Sequence, residues 1–267
     1  MTTPPSRLLT DLTTEEARDL IGPDSIVVLP IGAIEQHGPH LPLSTDAILT
    51  DAAADALREE PPPGVDVYFL PSLCYATSAE HRFAEGTMSL SEATLLAVIA
   101  DLADSVAALK ARRFVILNGH GGNTALLRVA SRQVRLKHHF LTFLMHPVLS
   151  ADHGGPTGES AERGLGCHAN QGETSIMLHL RPDLVKMERA VANVPDWLSE
   201  YADIGLGGNV TFGWSAGDFG PSGVIGDPTA ADPVLGAKLW DYALDRLRTG
   251  LTEIGRFEFP NSVLGAR

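Results

Sequence analysis

Four short stretches rich in apolar residues, 26–31, 65–70, 113–117 and 139–145, each read as a β-strand, and a segment of helical periodicity follows each one. Strand and helix therefore alternate four times. This predicts an α/β fold, a mostly parallel sheet flanked by helices on both faces. The helices are expected over 46–58, 95–109, 124–137 and 174–180, with a short one over 13–20 ahead of the first strand and a closing amphipathic one over 233–254. In the first of these, Ile48, Leu49, Ala52, Ala53, Ala56 and Leu57 recur at helical spacing, and Pro61-Pro62-Pro63-Gly64 stops the pattern. Ser89-x-x-Glu92 resembles a capping box for the helix that continues over 95–109. Residues 190–230 are rich in Gly and Asp, show little periodicity and receive no assignment. No internal repeat is visible, so a single domain over 1–267 is expected.

In open parallel sheets, ligands gather beyond the carboxyl ends of the strands. The titratable residues of this chain do the same. Glu35 and His37 follow the first strand, Ser78, Glu80 and His81 the second, and His120 the third. His146, His153, His168 and Glu173 come after the fourth. The densest stretch is 32–46, where Glu35, His37, His40 and Asp46 are spaced by Gly38, Pro39 and Pro42. A stiff, proline-rich loop leaving a strand end suits rigid presentation of ligands better than it suits packing.

Glu35, His37, Asp46, His120 and Glu173 together offer three carboxylates and two imidazoles. Such a set suits Zn²⁺ or Mn²⁺, with Fe²⁺ a further candidate, more than Ca²⁺ or a thiolate-loving metal. Five ligands exceed what one catalytic zinc needs, but they would serve two ions if one carboxylate bridged them. Asp46, central in the opening motif, is the candidate bridge. Paired ions of this kind hold a hydroxide and polarise a carbonyl. His168, five residues before Glu173, is placed for proton transfer. The plainer alternative for Glu173 is a carboxylate at a helix start, with Thr174 and Ser175 as caps. Ser78, Glu80, His81, Gly121 and Gly122 are candidate substrate contacts.

Composition excludes several classes. A net charge of −13 argues against nucleic acid or an anionic membrane as partner. No apolar run approaches a membrane span, and the first residues lack the apolar core of a signal peptide, so the cytoplasm is the expected location. The two cysteines, Cys74 and Cys167, form no Cys-x-x-Cys, which argues against a thiolate zinc site and a disulfide framework. The loop Asn118–Asn123 (NGHGGN) lacks the Walker lysine and the G-x-G-x-x-G spacing, so a nucleotide cradle is rejected. Asn209-Val-Thr211 matches a glycosylation sequon that a cytoplasmic chain would not use.

Five segments together resemble the creatininase (creatinine amidohydrolase) family: PIGAIEQHGPHLPLSTD, SAEHRFAEGTMSL, FVILNGHGGN, HANQGETS and GVIGDPTAA. The resemblance implies a three-layer α/β sandwich, a two-metal hydrolase site with a metal-bound hydroxide as nucleophile, and assembly into homohexamers. Its substrate would be a small molecule carrying a cyclic amide or amide. By motif position, Glu35, His37, Asp46 and His120 match the family's metal ligands, and His168 its acid–base histidine. One departure stands out. Creatininase proper has Asn-Gly-His-Tyr-Glu-Asn where this chain has Gly121 and Gly122, so Glu173 is expected to replace the missing carboxylate, as in a glycine-type branch of the family. Creatininase also sets tryptophans before the catalytic histidine, whereas Trp197, Trp214 and Trp240 all come after it here. The resemblance leaves formamide hydrolase, peptidase and lactone-type hydrolase open beside creatinine-type ring opening. A non-catalytic metal-binding sensor is the alternative from another class.

Overall fold

The computed structural model describes residues 6–147, 162–206 and 209–263. Four strands, β1 (Ile26–Ile31), β2 (Val67–Phe69), β3 (Arg113–Asn118) and β4 (Leu141–Met145), form one sheet in the order β2-β1-β3-β4. Every pairing between them is parallel. The helices are α1 (Thr14–Leu20), α2 (Thr45–Glu59), α3 (Glu92–Ala107), α4 (Thr124–His138), α5 (Gln171–Leu180) and α6 (Pro233–Arg256). Residues 190–230 hold short 3₁₀ turns and no longer helix among the described residues. His153 lies outside the described residues, and none of the described helices is long and apolar enough to cross a membrane.

Alternation along the central strands divides the core in two. Ile26, Val28, Val115 and Leu117 face one layer, packed with Leu49 of α2, Ile176 of α5 and Trp240 and Leu247 of α6. Val27, Leu29, Phe114 and Ile116 face the other, with Leu95 and Ile99 of α3 and Leu127 and Val134 of α4. Both faces of β1 and β3 are thus covered, which is why these strands read as unbroken apolar runs. Pro30 sits inside central β1, where a missing donor would ordinarily interrupt a ladder. Here the Pro30 carbonyl accepts from Leu73 N at 2.9 Å, beyond the last residue of β2. The side of β1 that lacks its N–H therefore faces irregular chain.

Several boundaries differ from the sequence expectation, β2 being only Val67–Phe69, and three of them have a local reason. The cap of α3 is Ser91, whose hydroxyl accepts from Thr94 N, whereas Ser89 Oγ accepts from Ser78 N. Helix α5 begins at Gln171 with Asn170 as its cap, so Thr174 and Ser175 are buried interior residues and not caps. Strand β4 starts at Leu141, because His139 adopts φ +60° and closes α4 in the left-handed region.

Candidate functional site

The site forms where β1 and β3 end side by side. After β1 the chain folds back on itself, with Glu35 N donating to Leu43 O at 2.9 Å, and enters α2 at Thr45. Asp46 therefore sits in the first turn of α2, below the loop carrying Glu35 and His37, and all three side chains are buried. One strand over, the asparagines of Asn118–Asn123 act as scaffold. Asn118 Nδ2 donates to His120 O at 2.7 Å, and Asn123 Oδ1 accepts from Thr77 N and Thr77 Oγ1. A Cβ on Gly119 would fall 1.8 Å from Thr50 Oγ1 and 3.0 Å from Asp46 O. Only a residue without a side chain lets the exit of β3 cross so close to α2, and that crossing brings His120 to Asp46.

The resulting cluster is dense. Asp46 Oδ1 lies 3.2 Å from His37 Nε2, and Asp46 Oδ2 lies 3.1 Å from His120 Nδ1. His120 Nε2 is 3.2 Å from Glu35 Oε2 and 3.3 Å from Glu80 Oε1. Glu35 Oε1 is 3.3 Å from His81 Nε2 and 3.7 Å from His168 Nδ1. Among the described residues, three trios offer ligand atoms within 4.8 Å of one another: Glu35, Asp46 and His120; His37, Asp46 and Glu173; and Glu35, His37 and His168. Asp46 is common to the first two. Both Glu35 oxygens, His37 Nε2, Asp46 Oδ2 and His120 Nε2 are buried without a hydrogen bond. Such atoms each cost about 1–3 kcal/mol unless another partner takes them.

Titration follows from this crowding. Burial pushes Glu35 up and Glu173 up to about 7. Burial also works against a charge on His37, yet Asp46 beside it outweighs burial and raises it to about 9. His120 rises in the same way, against burial, under Glu35 and Asp46. Asp46, despite its own burial, is held well below the usual carboxylate range by His37 and His120. The cluster thus favours positive charge in its interior.

His168 and Glu173 arrive on the N-terminus of α5. Asn170 Oδ1 accepts from Glu173 N at 2.9 Å, and Glu173 Oε2 accepts from Ala169 N at 2.6 Å. This closed turn holds the buried Ala169 at φ +50°, a conformation that L residues rarely adopt. The preceding His168 pairs its backbone with Ile225, and its ring lies 4.3 Å from that of His37 and 4.1 Å from that of His81. His168 Nε2 donates to Gln36 O at 2.7 Å, which assigns the proton to Nε2 and leaves Nδ1 as the free lone pair on the Glu35 side. Burial, then His37 and His81, hold this imidazole well below its usual range, so it is neutral. His81 is lowered to about 4 by burial, and its Nδ1 accepts from Gln36 Nε2 at 2.8 Å.

A cavity of about 290 Å³ opens onto this cluster. Of the residues singled out in the sequence, Glu35, Asp46, Glu80, His81, His120, Gly121, Gly122, His168 and Glu173 line it. His37 lies behind it within ligand distance, and Ser78 is fully buried with its backbone N–H on Ser89 Oγ. Gln36, Leu206 and Trp214 are additions that sequence reasoning missed. Gln36 was hidden by lying between two more conspicuous residues, and Trp214 by a stretch without periodicity. Cys167 also reaches the cavity, but surrounding protein, then Glu173 and Glu162, push its thiol up to about 12, which leaves no thiolate nucleophile.

The family model "Creatininase: Creatinine amidohydrolase" matches residues 10–251. A mycofactocin precursor peptide peptidase of Mycobacterium ulcerans (strain Agy99) is 32% identical over 247 residues, 89% of this chain and 89% of that protein. A creatinine amidohydrolase of Pseudomonas putida is 30% identical over 201 residues, 70% of this chain and 75% of that one. The solved structure described as "Creatininase Mn" superposes with a TM-score of 0.74 at 25% identity, covering 94% of this chain and 100% of its own.

Proposed function

This chain belongs to the creatininase family, and from that premise we propose that it is a binuclear metal-dependent amidohydrolase cleaving a C–N bond in a small molecule. The observation that carries this reading is the set of buried ligand atoms without hydrogen bonds on two trios that share one carboxylate. Glu35, Asp46 and His120 would hold one ion, and His37, Asp46 and Glu173 the other, with Asp46 as the bridge. An all-oxygen-and-imidazole donor set fits Mn²⁺ or Zn²⁺, and a structural neighbour carries Mn in its description. When bound, the ions supply Lewis acidity toward the amide carbonyl and activate water for attack.

His168 moves the proton. Its neutral Nδ1 accepts the proton of the attacking water and returns it to the leaving nitrogen, so a C–O bond forms as the C–N bond breaks. The hydrogen bond from Nε2 to Gln36 O fixes the tautomer, and the flanking rings of His37 and His81 restrict the imidazole. Burial of the cluster keeps bulk water from competing for these groups.

A second reading, in which the bond is a peptide bond, is favoured by the relatives named as mycofactocin precursor peptide peptidases. It is also favoured by the open space beside Gly121, where an added Cβ would meet nothing within 4 Å. Elemental analysis of the purified protein, followed by hydrolysis assays on creatinine, a formamide series and short peptides, tests both. About two divalent ions per chain are expected. His168→Ala should keep the metal while lowering turnover by about 10²–10⁴-fold. A protein that takes up no metal on reconstitution, or a His168→Ala variant of full activity, would overturn the proposal.

A further inference from the structure

Among the described residues, Glu80 is the one carboxylate lining the cavity that belongs to none of the three ligand trios. It comes from the loop after β2, its Oε1 lies 3.3 Å from His120 Nε2, and its side chain is 19% exposed where that of Glu35 is fully buried, so its outer edge faces the cavity. Its reach depends on a missing side chain, since a Cβ on Gly122 would lie 1.7 Å from Glu80 Oε1. The backbone of Glu80 also fastens the adjoining wall, because its carbonyl accepts from Ser215 Oγ at 2.9 Å. That bond anchors the residue next to Trp214, whose indole lines the same cavity and is braced edge-on by Phe219 at 5.4 Å. Among the described residues, no Lys or Arg lines the cavity.

A carboxylate outside the ligand trios together with an aromatic wall is the pairing that recognises an organic cation, through a charge-assisted hydrogen bond on one side and a ring quadrupole on the other. We propose that Glu80 and Trp214 form a recognition site for a protonated amine on the substrate, so that this enzyme acts on amino-bearing amides in preference to neutral ones. The inference rests on the amidohydrolase reading above and names its substrate class. Glu80 acts by binding, and the open space at Gly121 leaves room for the rest of an extended substrate.

The test uses metal-loaded protein and two probes of nearly equal shape at pH 7, L-leucinamide and 4-methylpentanamide, which lacks only the amine. Dissociation constants are measured by isothermal titration calorimetry for wild type and Glu80→Gln, with the metal content of both determined alongside. Wild type is expected to bind leucinamide about tenfold or more tightly than its deamino analogue, since a site built around a polar partner rejects the analogue lacking it. Glu80→Gln should erase that ratio with metal content unchanged. Equal binding, no binding of either amide, or a ratio that survives Glu80→Gln overturns the proposal. Loss of metal from Glu80→Gln also overturns it, by making Glu80 a ligand. The two readings fail separately: wild-type metal content tests the hydrolase, and the leucinamide ratio tests the amine site.

Discussion

The two halves of the site are built in different ways. Glu35, His37, Asp46 and His120 leave adjacent central strands whose register runs unbroken from Ile26 opposite Arg113 to Ile31 opposite Asn118. Backbone ladders and two buried layers hold them. The other half, residues 162–227, contributes His168, Glu173 and Trp214 and contains no strand of its own among the described residues. Isolated backbone bridges, His168 with Ile225 and Asn193 with Gly226, and side chains bonded to backbone hold it instead. Glu162 Oε1 accepts from Gln171 N and Asp227 N at 2.9 and 2.7 Å, and Asn193 Nδ2 donates to Phe219 O and Val224 O at 3.0 and 2.6 Å. A scaffold of ladders keeps charged ligands in place at several points at once. A scaffold of single side-chain bonds can be altered one bond at a time, which suits a wall that sets specificity.

Asp46→Asn should break the first half most severely. Removing the shared carboxylate is expected to release both ions and lower activity by more than about a hundredfold, beyond the loss seen for outer-sphere partners. Metal analysis and circular dichroism would show a folded, metal-poor protein. A variant that keeps two ions would remove Asp46 from the centre of the comparison.

Metal-free protein should show the same half as pH-dependent stability. His37, raised from about 6.5 to about 9, stabilises the fold fully below its unfolded value and loses that contribution as pH climbs through 9. Glu173, raised from about 4.5 to about 7, acts in the same direction over a lower window. Asp46 acts oppositely, favouring the fold above its unfolded range and losing effect in acid. Below about pH 6.5 the lowered imidazoles of His81 and His168 act against His37 and Glu173, so the clear window is pH 7 to 9, where His37 loses its proton and stability should fall by roughly a few kcal/mol. Thermal melts in chelator at pH 7, 8 and 9 should show Tm falling, and added metal should flatten the trend, because ions displace the protons these groups hold. A flat profile without metal would contradict the charge balance described here.

Asn193→Ala tests the second half and carries the smallest effect. Loss of the amide that donates to two backbone carbonyls should cost about 1–3 kcal/mol and raise KM, with metal content and the pH trend unchanged. If the variant shed metal, the halves would not be separable.

Much of this was legible in the primary structure, for a physical reason. Strands buried on both faces must be continuously apolar, and helices packed on one face must repeat at helical spacing, so the alternation stood out and with it the α/β class. The family was legible because its motifs lie in short loops directly after β1 and β3, where sequence neighbours remain spatial neighbours. Helix starts were read less well. Ser89 looked like the cap of α3 until Ser91 took that place, and Asn170 opened α5 three residues before Thr174. Several Ser, Thr and Asn residues compete at such starts, and local sequence does not say which side chain turns back.

What the amino-acid order determined by itself is therefore the sheet, its helical layers and the residue types that leave the central strands. Tertiary structure alone decided which of those residues meet. It put His168 between His37 and His81, made Asp46 common to two trios, and brought Glu80 into the space left by Gly122 beside a wall carrying Trp214. Periodicity reports burial of an element against its neighbours. It says nothing about contacts between loops more than a hundred residues apart, which depend on how all the packed layers close together.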